Sequence, residues 1–259
     1  MALPQVLAEL TSLLSSFTFP LFADDDRGRP QQIGSSFIVR SGNEYYLVSA
    51  AHVLELLKTQ TLYYYIGQAQ TRKLTGKLML SPWKGDRDKD PVDTGVLRLG
   101  HESHPPYPDL KKFAVDSSYL RPSDSPRDGK HYAIVGYPET MNRADLATKT
   151  VNAVAYAYRN HSLPEVEYEK HKLSPQEHIV LPLRPKKSFD PDGKHVHFPK
   201  PQGMSGSPIW LLFDDDATDL GRVCPIVGVG TKFRKGVGII GTDVSVAMKM
   251  IALLSREAL

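Results

Sequence analysis

Pro201-Gln202-Gly203-Met204-Ser205-Gly206-Ser207-Pro208-Ile209-Trp210 sets a serine between two glycines, on a turn that stops at a proline and runs into an apolar segment. A hydroxyl that attacks a carbonyl must stand exposed on a tight bend, with backbone N–H groups near the oxyanion that forms. Glycine permits such a bend because it has no Cβ to clash at positive φ. The same Gly-x-Ser-Gly pattern also occurs in ordinary turns, so its meaning depends on a base and an orienting acid elsewhere.

His52, in Val48-Ser49-Ala50-Ala51-His52-Val53, is the candidate base. A lone histidine after an apolar strand is more often structural. This one stands at a strand end between small residues, where an imidazole can reach a cleft and shuttle protons near neutral pH. Asp93 directly precedes Thr94-Gly95-Val96-Leu97-Arg98-Leu99. A carboxylate at the mouth of a buried strand can accept from an imidazole N–H and fix its tautomer. Asp86, Asp88 and Asp90 compete on the same loop. They rank lower because a solvated loop carboxylate would hold a ring less firmly.

Short strand-like runs separated by turn residues fill the rest of the chain. The spacing predicts a helix over 3–15 and a strand at Phe17–Phe22 with Pro20 at an edge or bulge. A hairpin follows, Ile33–Arg40 and Glu44–Ala50 joined at Ser41-Gly42-Asn43, then a short helical patch to about Lys58. Strands are expected at 61–66, 72–80, 94–99, 132–138, 149–158, 178–183, 207–213, 223–231 and 237–243. A last helix covers 246–257 with Val246, Met250, Ile251 and Leu254 on one face. Residues 101–130 lack periodicity and carry Arg121-Pro122-Ser123-Asp124-Ser125-Pro126, so they read as a linker between two halves. The fold class is all-β, with helices mainly at the ends.

Composition narrows the function classes. The 259 residues are 41% hydrophobic and 24% charged, enough for one large domain or two packed subdomains. Net charge is only +3, and the basic residues are scattered apart from Arg184-Pro185-Lys186-Lys187, which excludes a nucleic-acid stripe. The single cysteine, Cys224, excludes an internal disulfide framework and reads as a small buried residue. No run reaches the roughly 18–20 apolar residues of a membrane span. Met1–Phe22 lacks the basic start and cleavage site of a secretory signal, so a cytoplasmic protein is expected. Between His161 and His178 the polar stretch offers no metal-ligand spacing and reads as a surface loop or insertion.

In the order His52, Asp93, Ser205, with these flanks, the chain resembles the trypsin-like serine proteases of the chymotrypsin fold. Matching segments are Gly34-Ser35-Ser36-Phe37-Ile38-Val39, Ala50-Ala51-His52, Asp93–Leu99, Gly136-Tyr137-Pro138, Gly203–Pro208 and Ile226-Val227-Gly228-Val229. With one cysteine, it is most similar to the intracellular bacterial branch. The resemblance spans roughly residues 17–257. It implies two packed six-stranded antiparallel β-barrels, the first (1–115) carrying His52 and Asp93, a linker (116–130), and the second (131–259) carrying Ser205. It further implies Ser205 as nucleophile, His52 as general base and acid, Asp93 as orienting carboxylate, and an oxyanion hole of the Gly203 and Ser205 N–H groups. Pro199, Lys200, Gly230 and Thr231 fall where substrate-binding residues would lie. No cofactor or metal is implied.

The chain also departs from the pattern. Met204 stands where the family often has the Asp that pairs with a newly cut N-terminus, so activation by trimming is not expected. Pro199 occupies the position of trypsin's acidic pocket floor, which removes support for cleavage after Lys or Arg. Lys200, with His195 and His197, could instead form a basic pocket for an acidic P1 side chain. The simpler reading makes Lys186–Lys200 a solvated loop turning at Asp190-Pro191-Asp192-Gly193. The expected function is a serine endopeptidase acting on protein or peptide substrates. The alternative is a protease-like module that is catalytically silent or gated by an activating protein partner, its oxyanion turn flipped at Gly203–Met204. No nucleic acid or membrane partner is expected.

Overall fold

β-Branched and aromatic runs, broken by glycine, proline and Asx turns, pair into two curled antiparallel sheets. They are seen in a computed structural model that describes residues 12–66, 70–100, 110–122, 129–141, 143–145, 150–183, 188–189, 195–212 and 224–256. The first sheet uses β1 (Thr18–Asp24), β2 (Pro30–Ser41), β3 (Glu44–Ala50), β4 (Leu62–Ile66), β5 (Gln70–Lys73), β6 (Gly76–Leu80) and β7 (Thr94–Leu99), in the order β5-β4-β1-β2-β3-β7-β6. Strand β8 (Val115–Asp116) adds a short parallel pairing to β2. Pro20 sits in β1 just before Leu21, where pairing to β4 begins, so its missing N–H costs no ladder bond on that side.

The second sheet runs β13-β18-β17-β16-β9-β12-β14-β15. Its strands are β9 (His131–Gly136), β12 (Tyr156–His161), β13 (His178–Leu181), β14 (Ser188–Phe189), β15 (His195–Val196), β16 (Pro208–Leu211), β17 (Ile226–Arg234) and β18 (Gly238–Asp243). A separate hairpin joins β10 (Arg143–Asp145) and β11 (Thr150–Asn152). The chymotrypsin-like pair of antiparallel barrels expected from the resemblance is the architecture present.

Three stretches differ in detail from the sequence reading. The run at 72–80 divides at Leu74-Thr75, because Gly76 adopts φ +142° and a Cβ there would overlap the Arg98 carbonyl. The run at 149–158 is two strands, β11 returning on β10 and β12 pairing with β9. The 161–178 stretch is packed rather than loose: Tyr168 is fully buried against Val180 and Ile240, and its hydroxyl accepts the Val180 N–H at 3.0 Å.

A shared apolar core lies between the sheets. Phe37, Val39, Tyr46, Val48 and Val96 from the first meet Trp210, Ile226 and Val229 from the second. Helix α1 (Ala51–Glu55) follows β3, and the four-residue α2 (Leu110–Phe113) precedes β8. The terminal helix α3 (Ser245–Arg256) buries Ala247, Met250, Ile251 and Leu254, an i, i+3, i+4, i+7 stripe in which Ala247 stands beside the half-buried Val246. Asp243 Oδ1 accepts the Ser245 N–H at its start. The helix returns to the first sheet, where Tyr46 and Ser255 hydroxyls meet at 2.7 Å and Arg98 Nη1 donates to the Leu254 carbonyl at 3.3 Å.

Of the helix expected over 3–15, only 12–15 lies within the described residues, and it is helical. Of the linker stretch, 101–109 and 123–128 lie outside them, as does the turn at 190–193. Between these, the chain crosses from β8 on the first sheet to Leu120, which bridges Ile226 on the second. Among the described residues no helix is long and apolar enough to cross a membrane. Cys224 is buried, and that burial pushes its thiol up to about 11, well away from a reactive thiolate.

Candidate active site

The extended backbone of Ala50 turns straight into α1, so His52 falls in the first turn of that helix rather than on the strand itself. The β3–β7 register sets Ala50 opposite Thr94, which brings Asp93 alongside. Asp93 has φ +37°, one of two non-glycine residues at positive φ among the described residues. Such a conformation costs about 1–3 kcal/mol, least for Asp and Asn, and must be over-determined by its surroundings. Here three bonds hold it. The Ala51 N–H donates to the Asp93 carbonyl at 2.9 Å, the His52 N–H to Oδ1 at 2.9 Å, and His52 Nδ1–H to Oδ2 at 2.7 Å. Asp93 is buried while the His52 side chain keeps 33% of its surface. With Nδ1 committed, Nε2 is the nitrogen left to accept a proton.

Second-sheet side chains grip the loop that ends at Asp93. Thr242 Oγ1 donates to the Val92 carbonyl at 2.5 Å, and Lys232 Nζ to the Asp90 carbonyl at 2.8 Å. His178 lies buried in β13 rather than on a surface loop; its Nε2–H donates to the Pro91 carbonyl at 2.9 Å while Nδ1 accepts the Ser174 N–H at 3.1 Å.

Asp86 and Asp88 are exposed, as expected of loop carboxylates, but Asp90 is buried. It accepts from Ser81 Oγ at 2.5 Å and Arg87 Nη1 at 2.7 Å, so its carboxylate is occupied rather than solvated. Burial alone would raise its pKa. Hydrogen bonds from Ser81, from backbone N–H groups and from Arg87 outweigh that and hold the carboxyl below its ordinary 3.8. A depressed folded-state pKa contributes stability above the unfolded value and loses it as pH falls through the folded value. Asp90→Asn therefore lowers the denaturation midpoint at pH 7, and its deficit against the native chain shrinks below pH 3.8. Chemical denaturation across pH 2–7 reads this directly.

Ser205 lies on a turn in which successive peptide planes alternate. The Gln202 carbonyl accepts from Glu139 N–H at 2.8 Å and the Met204 carbonyl from Ser207 N–H at 3.0 Å. In a trans peptide C=O and N–H point opposite ways. The N–H groups that share these two planes, those of Gly203 and Ser205, therefore point away from those contacts, and neither donates to a protein group among the described residues. The intervening planes are tied at both ends. Met204 N–H donates to the Pro201 carbonyl and Gly206 N–H to that of Gly230, while the Ser205 carbonyl accepts from Ser35 N–H at 2.7 Å. Ser49 Oγ in turn donates to the Ser35 carbonyl, which seats the turn against β2 and β3 three residues before His52. Ser205 Oγ donates to the Thr231 carbonyl at 3.2 Å.

Met204 is buried with Tyr132, Ile134, Phe198 and Ile209. Its side chain fixes the turn by apolar burial, worth about 1.5–3 kcal/mol. Gly203, at φ +88°, could carry no Cβ: one would lie 2.7 Å from Glu139 N and 2.8 Å from the Tyr137 carbonyl oxygen. Gly203→Ala is expected to destabilise the fold by about 1–3 kcal/mol, which denaturation midpoints check.

The other residues singled out in the sequence divide. Pro199 is half-buried and Lys200 exposed; His197 is exposed, with Nδ1 at 3.2 Å from the Phe198 carbonyl. The Gly230 N–H and carbonyl are both spent on the serine turn. Thr231 turns its side chain into the core, Oγ1 donating to the Ile240 carbonyl at 3.2 Å, so only its backbone faces Ser205. Sequence reasoning missed Gln32 and Ser35, whose side chains reach across to Gly203. No local pattern marks them.

No family model and no curated protein sequence matches the chain. Among solved structures it is similar to HL collagenase, at 15% identity and TM-score 0.54, with 95% of each chain covered. It is also similar to GrC, at 14% identity and TM-score 0.50, covering 93% of this chain and 95% of that one. The likeness establishes the chymotrypsin-like double-barrel fold.

Proposed function

We propose that this chain is a serine endopeptidase that hydrolyses peptide bonds through an acyl-enzyme on Ser205. The observation that carries the reading is the pair of undonated N–H groups, Gly203 and Ser205, on a turn tied through Ser35 to Ser49, three residues before the His52 whose ring is locked on Asp93. Ser205 Oγ exchanges its Thr231 partner for His52 Nε2 as substrate binds; such bonds commonly tighten only in the complex. Oγ then attacks the scissile carbonyl carbon and its proton passes to Nε2. The tetrahedral oxyanion is received by the Gly203 and Ser205 N–H groups. The imidazolium, stabilised by ionised Asp93, protonates the leaving nitrogen as the C–N bond breaks. Water attacks the ester with its proton passing to His52, which returns a proton to Ser205 Oγ as the acyl C–O bond breaks.

The same reading divides the chain at 116–130, with the acid and base before that linker and the nucleophile after it, and places the protein in the intracellular bacterial branch. The pinned planes around Gly203 support an oxyanion turn formed without a partner, over a silent or gated module. Incubation with a mixed peptide library tests the proposal. New α-amino groups must appear with the native chain and not with Ser205→Ala; equal release by both chains, or none by either, would sink it. The same library reads the P1 preference, and a preference for large apolar or Arg P1 residues would dismiss the basic pocket at Lys200.

A further inference from the structure

Gly203 is the point at which the oxyanion turn could fail. A residue without a Cβ has low-energy conformations on both sides of φ = 0, so a crankshaft rotation of the 202–203 peptide could swing its N–H out of the site. Main-chain bonds account for the Gln202 carbonyl and the Met204 N–H. The Gly203 carbonyl between them is held by side chains from the other sheet. Ser35 Oγ donates to it at 2.8 Å and Gln32 Nε2 at 3.2 Å.

Each of these side chains also grips Tyr137, at the end of β9. The Tyr137 N–H donates to Ser35 Oγ at 3.0 Å, which leaves the hydroxyl proton to go to Gly203 and fixes the direction of that bond. Gln32 Nε2 donates to the Tyr137 carbonyl as well. Tyr137 is itself anchored, its hydroxyl donating to the Thr18 carbonyl at 3.1 Å, and burial pushes that phenol up to about 12. Ser35 is fully buried and Gln32 is 5% exposed, so water cannot readily replace either donor. Without them a buried carbonyl would lose its partners, and a turn that frees it to reach solvent would gain relative to the formed one.

We propose that Gln32 and Ser35 are positioning residues that keep the oxyanion turn formed in a chain whose residue 204 is an apolar methionine and supplies no ion pair. The inference rests on the peptidase reading. It extends that reading by naming what clamps Gly203 on its carbonyl side, beside the Gln202 carbonyl bond that orients its N–H: two donors on β2, some 170 residues away in sequence and on the opposite sheet.

The test uses Gln32→Met, which removes the donors at similar volume, and Ser35→Ala, which removes one buried oxygen. Each variant is expected to lower kcat about 10–100-fold while KM changes less than about threefold, since an interaction made with the oxyanion is absent from the ground state. Affinity for a peptide aldehyde, whose hemiacetal presents the oxyanion, should fall by the same factor as kcat. Affinity for the cleaved acid product of that sequence should stay put. Unchanged kcat with a lowered melting temperature would make the two residues ordinary packing and overturn the proposal. Equal weakening of aldehyde and product would do the same. Should Gln32→Met fail to fold, Ser35→Ala decides alone. A native chain that cleaves no peptide and takes up no aldehyde would sink the peptidase reading first.

Discussion

Ser205→Ala is expected to lower peptide hydrolysis by roughly 10⁴-fold or more while leaving the fold in place. Among the described residues, the hydroxyl makes one hydrogen bond, to the Thr231 carbonyl at 3.2 Å, and the side chain is half-buried rather than sealed in the core. Its loss should therefore change stability by no more than about 1 kcal/mol. The main-chain bonds that shape the turn run through Ser205 only at its carbonyl, and alanine keeps that carbonyl. Initial rates and thermal midpoints on the same preparation separate the two effects. A rate within tenfold of the native chain would remove Ser205 from the chemistry.

Asp93→Asn should cost about 10⁴-fold in kcat by the precedent of serine proteases. The carboxylate accepts two donors from one residue, His52 N–H on Oδ1 and His52 Nδ1–H on Oδ2. An amide has one oxygen for these two donors. Where its NH₂ faces the ring, Nδ1 must become the acceptor and the proton moves to Nε2, which can then no longer take one from Ser205. Asparagine tolerates φ near +37° about as well as aspartate, so backbone strain at this position is not altered. The loss thus reports on charge and tautomer. Steady-state kinetics checks it, and a kcat within about tenfold of native would contradict the orienting role.

How far the site was legible follows from where its determinants lie. Types and order suffice to nominate Ser205, His52 and Asp93, because each stands in a short local pattern: a glycine-flanked turn, a strand end among small residues, the mouth of an apolar strand. Asp90 ranks below Asp93 in the sequence as a solvated loop carboxylate, and that premise does not hold. That carboxylate is not solvated but buried on Ser81 and Arg87, a pairing that composition cannot reveal. His178 ends a polar stretch in sequence, yet its ring is buried and bonds Pro91, 87 residues away. Gln32 and Ser35 are the extreme case. They look like ordinary polar residues of a half-buried strand, and only the docking of the two sheets brings them to Gly203.

The fold was legible for a similar reason. Period-2 runs and turn residues set the strands, and the departures fall where a single glycine or a packed aromatic decides, as at Gly76 and Tyr168.

Intact-mass analysis after incubation with a fluorophosphonate tests the nucleophile most directly. Phosphonylation forms a P–O bond at Ser205 Oγ and expels fluoride, so one adduct per chain should appear, map to the peptide containing Ser205, and vanish in Ser205→Ala. An unmodified native chain, or an adduct that survives in Ser205→Ala, would contradict the assignment.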